Sequence, residues 1–180
     1  MRHIEKNELR SVKHYLLHGL FYFLYGFLKN LSFPFCNYLR FACLVLFGAR
    51  IQSASIGEGV TVFCPWDLKI GRNTTIGARC TLTAYGGLTI GSDVRMAPNV
   101  MLLTTDHEYA DPDKLIRNQG FKKAPIIIGN DVWLASNVVV VKGVQIGSGA
   151  VIGANSVVTH DIPPYAIAAG IPCKVIGSRK

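Results

Sequence analysis

Aliphatic residues recur at intervals of six positions over most of the chain. Each is followed four positions later by a residue that is usually small or β-branched. Three such hexads close one triangular coil, in which the aliphatic residue points inward and the smaller residue packs on the next coil. The fourteen inward positions are Ile56, Val62, Ile70, Ile76, Leu82, Ile90, Met96, Leu102, Ile128, Leu134, Val140, Ile146, Ile152 and Val158. The spacing predicts an all-β domain, a parallel β-helix whose ends must be covered.

The coils differ in length. From Ile56 to Ile76 and on to Met96 each coil takes 20 residues, with the extra pairs at 68–69 and 88–89, whereas the coil from Ile128 takes 18. The repeat is absent from 103–125. A loop of this length that interrupts a regular coil is usually functional or disordered.

The first 50 residues lack the repeat and are mostly apolar. Residues 15–28 and 38–47 are nearly free of charge, and the break at 30–34 contains a proline, so we expect a helix on each side. Neither run reaches the ~18–20 residues of a membrane span. The predicted organisation is a hydrophobic helical segment (1–50), the β-helix domain (51–176) and a basic tail (177–180).

Positive charge is concentrated in the same N-terminal segment. The chain has a net charge of +8, and its first 50 residues hold seven Lys and Arg, two Glu and 11 of the 18 aromatic residues. Two interpretations stay open: residues 15–47 contact a membrane interface, or they form a cap that packs on the protein or on sister subunits. Nucleic-acid binding is not expected, because the charge lies among apolar residues and not along a groove.

Composition excludes two other classes of protein. With 49% hydrophobic and 17% charged residues, the chain is too apolar to be disordered. Its five cysteines are odd in number and never spaced as CxxC, which is typical of reduced thiols and not of a disulfide scaffold. We therefore expect a cytoplasmic protein, or one held peripherally at the cytoplasmic face of the membrane.

These motifs resemble the hexapeptide-repeat acyltransferases, which are left-handed parallel β-helices. The resemblance covers 51–177 and is most specific in the run APIIIGNDVWLASNVVVVKGVQIGSGAVIGANSVVTHDIPPYAIAAGIPCKVIG. It is closest to the galactoside and maltose O-acetyltransferases and to acetyltransferases of exopolysaccharide biosynthesis. The stretch CPWDLKIG is similar to the polysaccharide-modifying branch. It implies a homotrimer that transfers an acetyl group from acetyl-CoA to a sugar hydroxyl of a cell-surface polysaccharide or its precursor.

His107 lies in the segment that interrupts the repeat. Its eight-residue step from Asn99 matches the family's catalytic histidine. A sugar hydroxyl is a poor nucleophile near neutral pH, and an imidazole with a pKa near ~6.5 is suited to accept its proton. We therefore expect His107 to be the general base, with Asp106 or Glu108 orienting the ring or holding the acceptor.

The resemblance also implies that acetyl-CoA lies in a groove between two β-helices of the trimer. Its thioester and pantetheine arm would contact Trp133, Ala135, Ser136 and Ala154, and its nucleotide and phosphates would contact Thr159, His160 and Lys174. Three positions depart from the family pattern, which usually has Gly at Ala135, Pro at Lys142 and Lys at His160.

Three other functions share features with this sequence. A γ-type carbonic anhydrase shares the fold but needs three histidines on zinc, and the β-helix region has only His107 and His160, so no metal is expected. An N-acetyltransferase of a nucleotide-linked amino sugar and a non-catalytic, membrane-attached scaffold stay open as alternatives.

Overall fold

Two helices precede a parallel β-helix in the structure, a computed structural model that describes residues 12–33 and 35–179. The chain passes repeatedly through three faces, each a sheet to which successive coils contribute one strand. Inward residues stack in register, with Ile76 between Ile56 and Met96. The predicted parallel β-helix with an N-terminal helical part is confirmed.

We number the three faces in the order in which the chain visits them. Face 1 consists of Arg50–Ile51 (β1), Leu68–Ile70 (β4), Leu88–Ile90 (β7), Ile126–Ile128 (β12) and Gln145–Ile146 (β15). Face 2 consists of Ala54–Ile56 (β2), Thr74–Ile76 (β5), Arg95–Met96 (β8), Trp133–Leu134 (β13), Val151–Ile152 (β16), Ala166–Ala169 (β18) and Lys174–Ser178 (β19). Face 3 consists of Thr61–Phe63 (β3), Thr81–Thr83 (β6), Met101–Leu103 (β9), Val139–Val141 (β14) and Val157–Val158 (β17).

The core is a single column of aliphatic side chains inside the coils. All fourteen inward positions of the hexad pattern are at most 3% exposed. The smaller residues four positions later are buried as well, including Thr74, Cys80, Ala150 and Ser156. The prediction of the core from the six-residue period is therefore confirmed.

A helical cap covers the N-terminal end of this column. Helices Val12–Leu28 (α1) and Cys36–Leu46 (α2) lie on either side of the predicted break. Phe21 and Leu44 belong to the same buried cluster as Ile56 of the first coil. Buried Arg40 fixes α2 to this coil, because its Nε donates to the carbonyl oxygen of Ile56 at 2.7 Å and its Nη1 donates to that of Leu31 at 2.8 Å. Among the described helices, none combines the length and the apolar character needed to cross a bilayer.

At the other end the chain turns back on itself. Strand β19 pairs antiparallel with β18, and it continues to Ser178, two residues into the segment that the sequence assigned to a basic tail. The side chain of Arg179 donates to the carboxylate of Asp131 at 3.0 Å and to the carbonyl oxygen of Gly149 at 2.8 Å. The residues after β19 are therefore bound to the β-helix up to Arg179.

The interruption of the repeat is a β-hairpin. Between β9 and β12 the chain forms Thr105–His107 (β10) and Phe121–Lys123 (β11), which pair antiparallel, with a 3₁₀ turn at Ile116–Asn118 in the connection. We call this unit the hairpin. It leaves the β-helix at the 3–1 corner, the edge where the chain passes from face 3 to face 1.

Candidate active site

His107 is the last residue of β10, and its ring is exposed at the edge of the hairpin. It lies opposite Phe121 of β11, with the two ring centroids 4.5 Å apart and the ring planes inclined by 39°. The backbone N–H of Glu108 donates to the carbonyl oxygen of Gly120 at 3.0 Å, which closes the hairpin directly after the histidine. Packing against Phe121 restrains the imidazole while leaving it accessible to a ligand.

The two carboxylates beside His107 are both paired with lysines. Asp106 forms an ion pair with Lys142, and Glu108 forms one with Lys122 at 2.9 Å. The hydrogen bond and the charge of Glu108 raise the pKa of Lys122. The Asp106 pair therefore joins the hairpin to the β-helix, whereas the Glu108 pair links the two arms of the hairpin to each other.

Lys142 is the site residue that sequence reasoning missed. In the sequence it stands out only as a departure from the usual proline. In the structure it lies at the 3–1 corner of the next coil, and its side chain is 24% exposed. Its ammonium group joins the strand that carries His107 to the body of the β-helix. The sequence shows a single lysine at the corner beside the inserted segment. Its ion-pair partner could not be predicted, because that partner depends on how the hairpin folds.

Aromatic side chains occupy the 3–1 corner on the N-terminal side of the hairpin. The rings of Tyr22 and Tyr85 both lie beside Phe63, each with its centroid 6.2 Å away, and the two tyrosine side chains are hydrogen-bonded to each other. Burial raises the pKa of Tyr85. The backbone N–H of Gly86 donates to the hydroxyl of Thr104 at 3.0 Å, so the Tyr85 turn is attached to the base of the hairpin. The sequence of this turn does not indicate a contact to an acceptor.

Thr159 and His160 lie at the 3–1 corner of the last complete coil. Both side chains are exposed, and Thr159 Oγ1 is 2.9 Å from His160 Nδ1. They therefore share an edge of the β-helix with the hairpin, but on a later coil.

The other predicted coenzyme contacts lie on a different edge. Trp133, in β13 of face 2, is 52% exposed and is flanked by Arg95 and Val151 on the neighbouring strands. Ala135 and Ser136 follow it at the 2–3 corner, where the chain passes from face 2 to face 3.

Ala154 lies at the same 2–3 corner, one coil further along, and is exposed. The N–H of its neighbour Asn155 donates to the carbonyl oxygen of Ser136 at 3.0 Å. Lys174 begins β19, and its side chain is exposed at the edge of face 2.

A single chain therefore holds the predicted site residues in two separate groups. His107, Thr159 and His160 are at the 3–1 corner, whereas Trp133 and Ala154 are on face 2 or at the 2–3 corner. One side of a coil separates the two corners, and six residues of extended chain span at most ~20 Å. A bound molecule that contacts His107 and Trp133 at once would need the corners of two copies of the chain to meet.

The outer surface of face 3, between these corners, is largely apolar near its C-terminal end. Met101, Val139 and Val157 are neighbours across its strands. Within residues 12–33 and 35–179, no group of three or more His, Cys, Asp or Glu side chains could hold a metal ion.

Comparison with protein families identifies the repeat. A family described as bacterial transferase hexapeptide (six repeats) matches residues 125–160, and one described as hexapeptide repeat of succinyl-transferase matches residues 67–103. A galactoside O-acetyltransferase of Escherichia coli (strain K12) is 43% identical over 129 residues, which are 68% of this chain and 63% of that protein. The chain therefore spans less than two-thirds of the length of this curated relative.

Solved structures extend the likeness to almost the whole chain. A galactoside acetyltransferase in complex with coenzyme A is 33% identical, with a TM-score of 0.83 over 95% of this chain and 84% of that one. The polySia-specific acetyltransferase NeuO is 35% identical, with a TM-score of 0.52 over 72% of this chain and 61% of that one. The left-handed form of the β-helix, expected from the resemblance, is the fold that these relatives share with this chain.

Proposed function

Because the chain belongs to the hexapeptide-repeat acyltransferase family, we propose that it is an acetyl-CoA-dependent O-acetyltransferase that acts on a sugar hydroxyl. The observation that carries the proposal is the placement of His107. It is exposed at the tip of a strand, packed against Phe121, and held by a hairpin whose flanking carboxylates are both paired with lysines. A general base needs this combination of restraint and access.

In the proposed reaction, His107 accepts the proton of the sugar hydroxyl as its oxygen attacks the thioester carbonyl carbon. A C–O bond forms, the C–S bond breaks, and the sulfur of coenzyme A leaves and takes up a proton. Backbone N–H groups are the usual donors to the oxyanion that forms in between. Acetyl-CoA supplies the acyl group, and this chain's residues position it and move the proton.

We assign the donor site to two copies of the chain. The exposed Trp133 ring and the small side chains of Ala135, Ser136 and Ala154 leave an open surface against which a pantetheine arm fits. Lys174, Thr159 and His160 are exposed and suited to contact phosphates. Because these groups lie on two corners of one chain, a homotrimer with apolar face 3 buried between copies would complete the site.

A glycan of the cell surface, or its precursor, is the proposed acceptor. Two observations support it: the likeness to a polySia-specific acetyltransferase, and the aromatic cluster that includes Tyr85 beside the hairpin, which offers an apolar surface to a sugar ring. The five free and buried cysteines support a cytoplasmic location.

Calorimetric titration of the full-length protein with acetyl-CoA tests the donor site without knowledge of the acceptor. We expect saturable binding with micromolar to millimolar affinity and one site per chain, weakened by Lys174→Ala, which removes a phosphate contact. Absence of binding at millimolar acetyl-CoA would favour the non-catalytic scaffold.

Acetyl transfer to a panel of pyranosides and amino sugars tests the base. His107→Ala should lower kcat by about 10²–10⁴-fold, the usual contribution of a general base, while acetyl-CoA binding is retained. Hydroxylamine treatment of the product separates the two acyl linkages, because it cleaves an O-acetyl ester and leaves an N-acetyl amide intact. Full activity of the His107→Ala variant would refute the mechanism, and a hydroxylamine-stable product would establish the N-acetyltransferase.

A further inference from the structure

Helix α1 is apolar on two opposite faces. Its inner face carries Phe21 and Tyr25, which are buried against α2 and the first coil. Residues spaced by three or four positions share a helix face, and the spacing of the outer residues places them opposite the inner pair. The outer stripe consists of Leu16, Leu20, Phe23 and Phe27, all of which are exposed. The packing of α1 on the cap accounts for only one of these faces.

The exposed apolar surface continues into the turn and α2. Phe33 and Phe35 stack with their ring centroids 5.9 Å apart, and both are exposed. Tyr38 and Leu46 are exposed on α2, whose inner face holds the buried Arg40. We call these side chains and the outer stripe of α1 together the outer cap surface.

The stretch of sequence that carries this surface has charged residues of one sign only. No Asp or Glu occurs between residues 9 and 57, whereas Arg10, Lys13, Lys29 and Arg50 all lie in this stretch with the buried Arg40. An apolar partner protein requires no such imbalance. An anionic lipid bilayer favours both features, because the aromatic and aliphatic side chains enter the interface and the basic groups meet lipid headgroups.

We propose that the outer cap surface docks on the surface of an anionic lipid bilayer. Because the opposite face of α1 is packed on the protein, the helix meets the bilayer along its side and lies in the plane of the interface. This inference is independent of the acetyl transfer reaction. In the proposed trimer, however, the three caps would stand at the same end of the parallel β-helices, so that several weak contacts would act together.

Cosedimentation of the full-length protein with vesicles tests the proposal. We expect binding to vesicles of phosphatidylglycerol and phosphatidylcholine, weaker binding to phosphatidylcholine alone, and release as salt shortens the screening length from ~10 Å at 0.1 M to ~3 Å at 1 M. Phe23→Ser/Phe27→Ser should lower the partition coefficient by about tenfold or more, since full burial of one large apolar side chain contributes about that factor.

A matched control comes from the opposite end of the chain. Ile171 and Ile176 are 74% and 69% exposed, close to the 75% and 71% of Phe23 and Phe27, so Ile171→Ser/Ile176→Ser removes similarly exposed apolar groups. This control variant should bind vesicles as the unaltered protein does. Equal vesicle binding by the Phe23→Ser/Phe27→Ser variant would overturn the proposal. A fall in its oligomer mass by light scattering, with vesicle binding unchanged, would instead assign the surface to contacts between copies.

Discussion

Replacing Lys142 with methionine removes the ammonium group that pairs with Asp106 and keeps most of the apolar stem. The lysine side chain is 24% exposed and the carboxylate 41% exposed, so solvent screens the pair in part. Pairs of this kind contribute roughly 0.2–1 kcal/mol. If the full free energy of the ion pair serves to hold the strand that carries His107 in its reactive position, loss of the pair lowers kcat by at most about fivefold, because 1.4 kcal/mol corresponds to a factor of ten.

Steady-state acetyl transfer by four proteins measures the effect: the unaltered chain, Lys142→Met, Asp106→Asn and the double variant. We expect the double variant to lose little more than either single variant, because removal of one partner already breaks the pair. Lys142→Arg should restore much of the rate. Lys122→Met is the matched control, since Lys122 pairs with Glu108 on the same hairpin but is more exposed, and its kcat should change less.

Strictly additive losses in kcat, or an equal loss in Lys122→Met, would show that Lys142 does not position His107 through Asp106.

Two further predictions concern the cap and the thiols. Arg40→Met should destabilise the protein by roughly 2 kcal/mol, because two carbonyl oxygens that Arg40 bonds, those of Leu31 and Ile56, lose a charged donor; a melting temperature within 1–2 °C of the unaltered protein would contradict this. Burial raises the pKa of the Cys80 thiol to about 11, which keeps it protonated and unreactive at neutral pH, and all five cysteines are buried. The thiol reagent DTNB should therefore react slowly with the native protein, whereas in guanidinium it should react with all five thiols. Fast reaction of a thiol in the native protein would show that the core opens.

The sequence predicts the β-helix core because each coil repeats the same six-residue pattern. The hexad that begins with Leu134 is enough to assign this residue to an inward position, and in-register stacking of the coils then places it in the core. The antiparallel return of β19 follows no hexad, so the six-residue pattern does not locate the end of this strand at Ser178. Handedness came from family resemblance, since spacing alone is the same for either hand.

The surroundings of His107 were less predictable for a physical reason. Its position followed from the gap in the repeat, but the partners of Asp106 and Glu108 depend on how β10 pairs with β11. Lys142 and Lys122 are 36 and 14 residues away from these carboxylates along the chain. In α1, the periodicity could not separate the packed face from the exposed one, because both faces are apolar.

The β-helix stacks across the hairpin as though the hairpin were absent. Strand β12 pairs directly with β7 and β14 pairs directly with β9, so the coils before and after the insertion meet without a gap in the ladder. A change in the length of the hairpin therefore alters the groups beside His107 without moving a single core residue. The β-helix should therefore accept a hairpin from a relative at this position with little loss of stability.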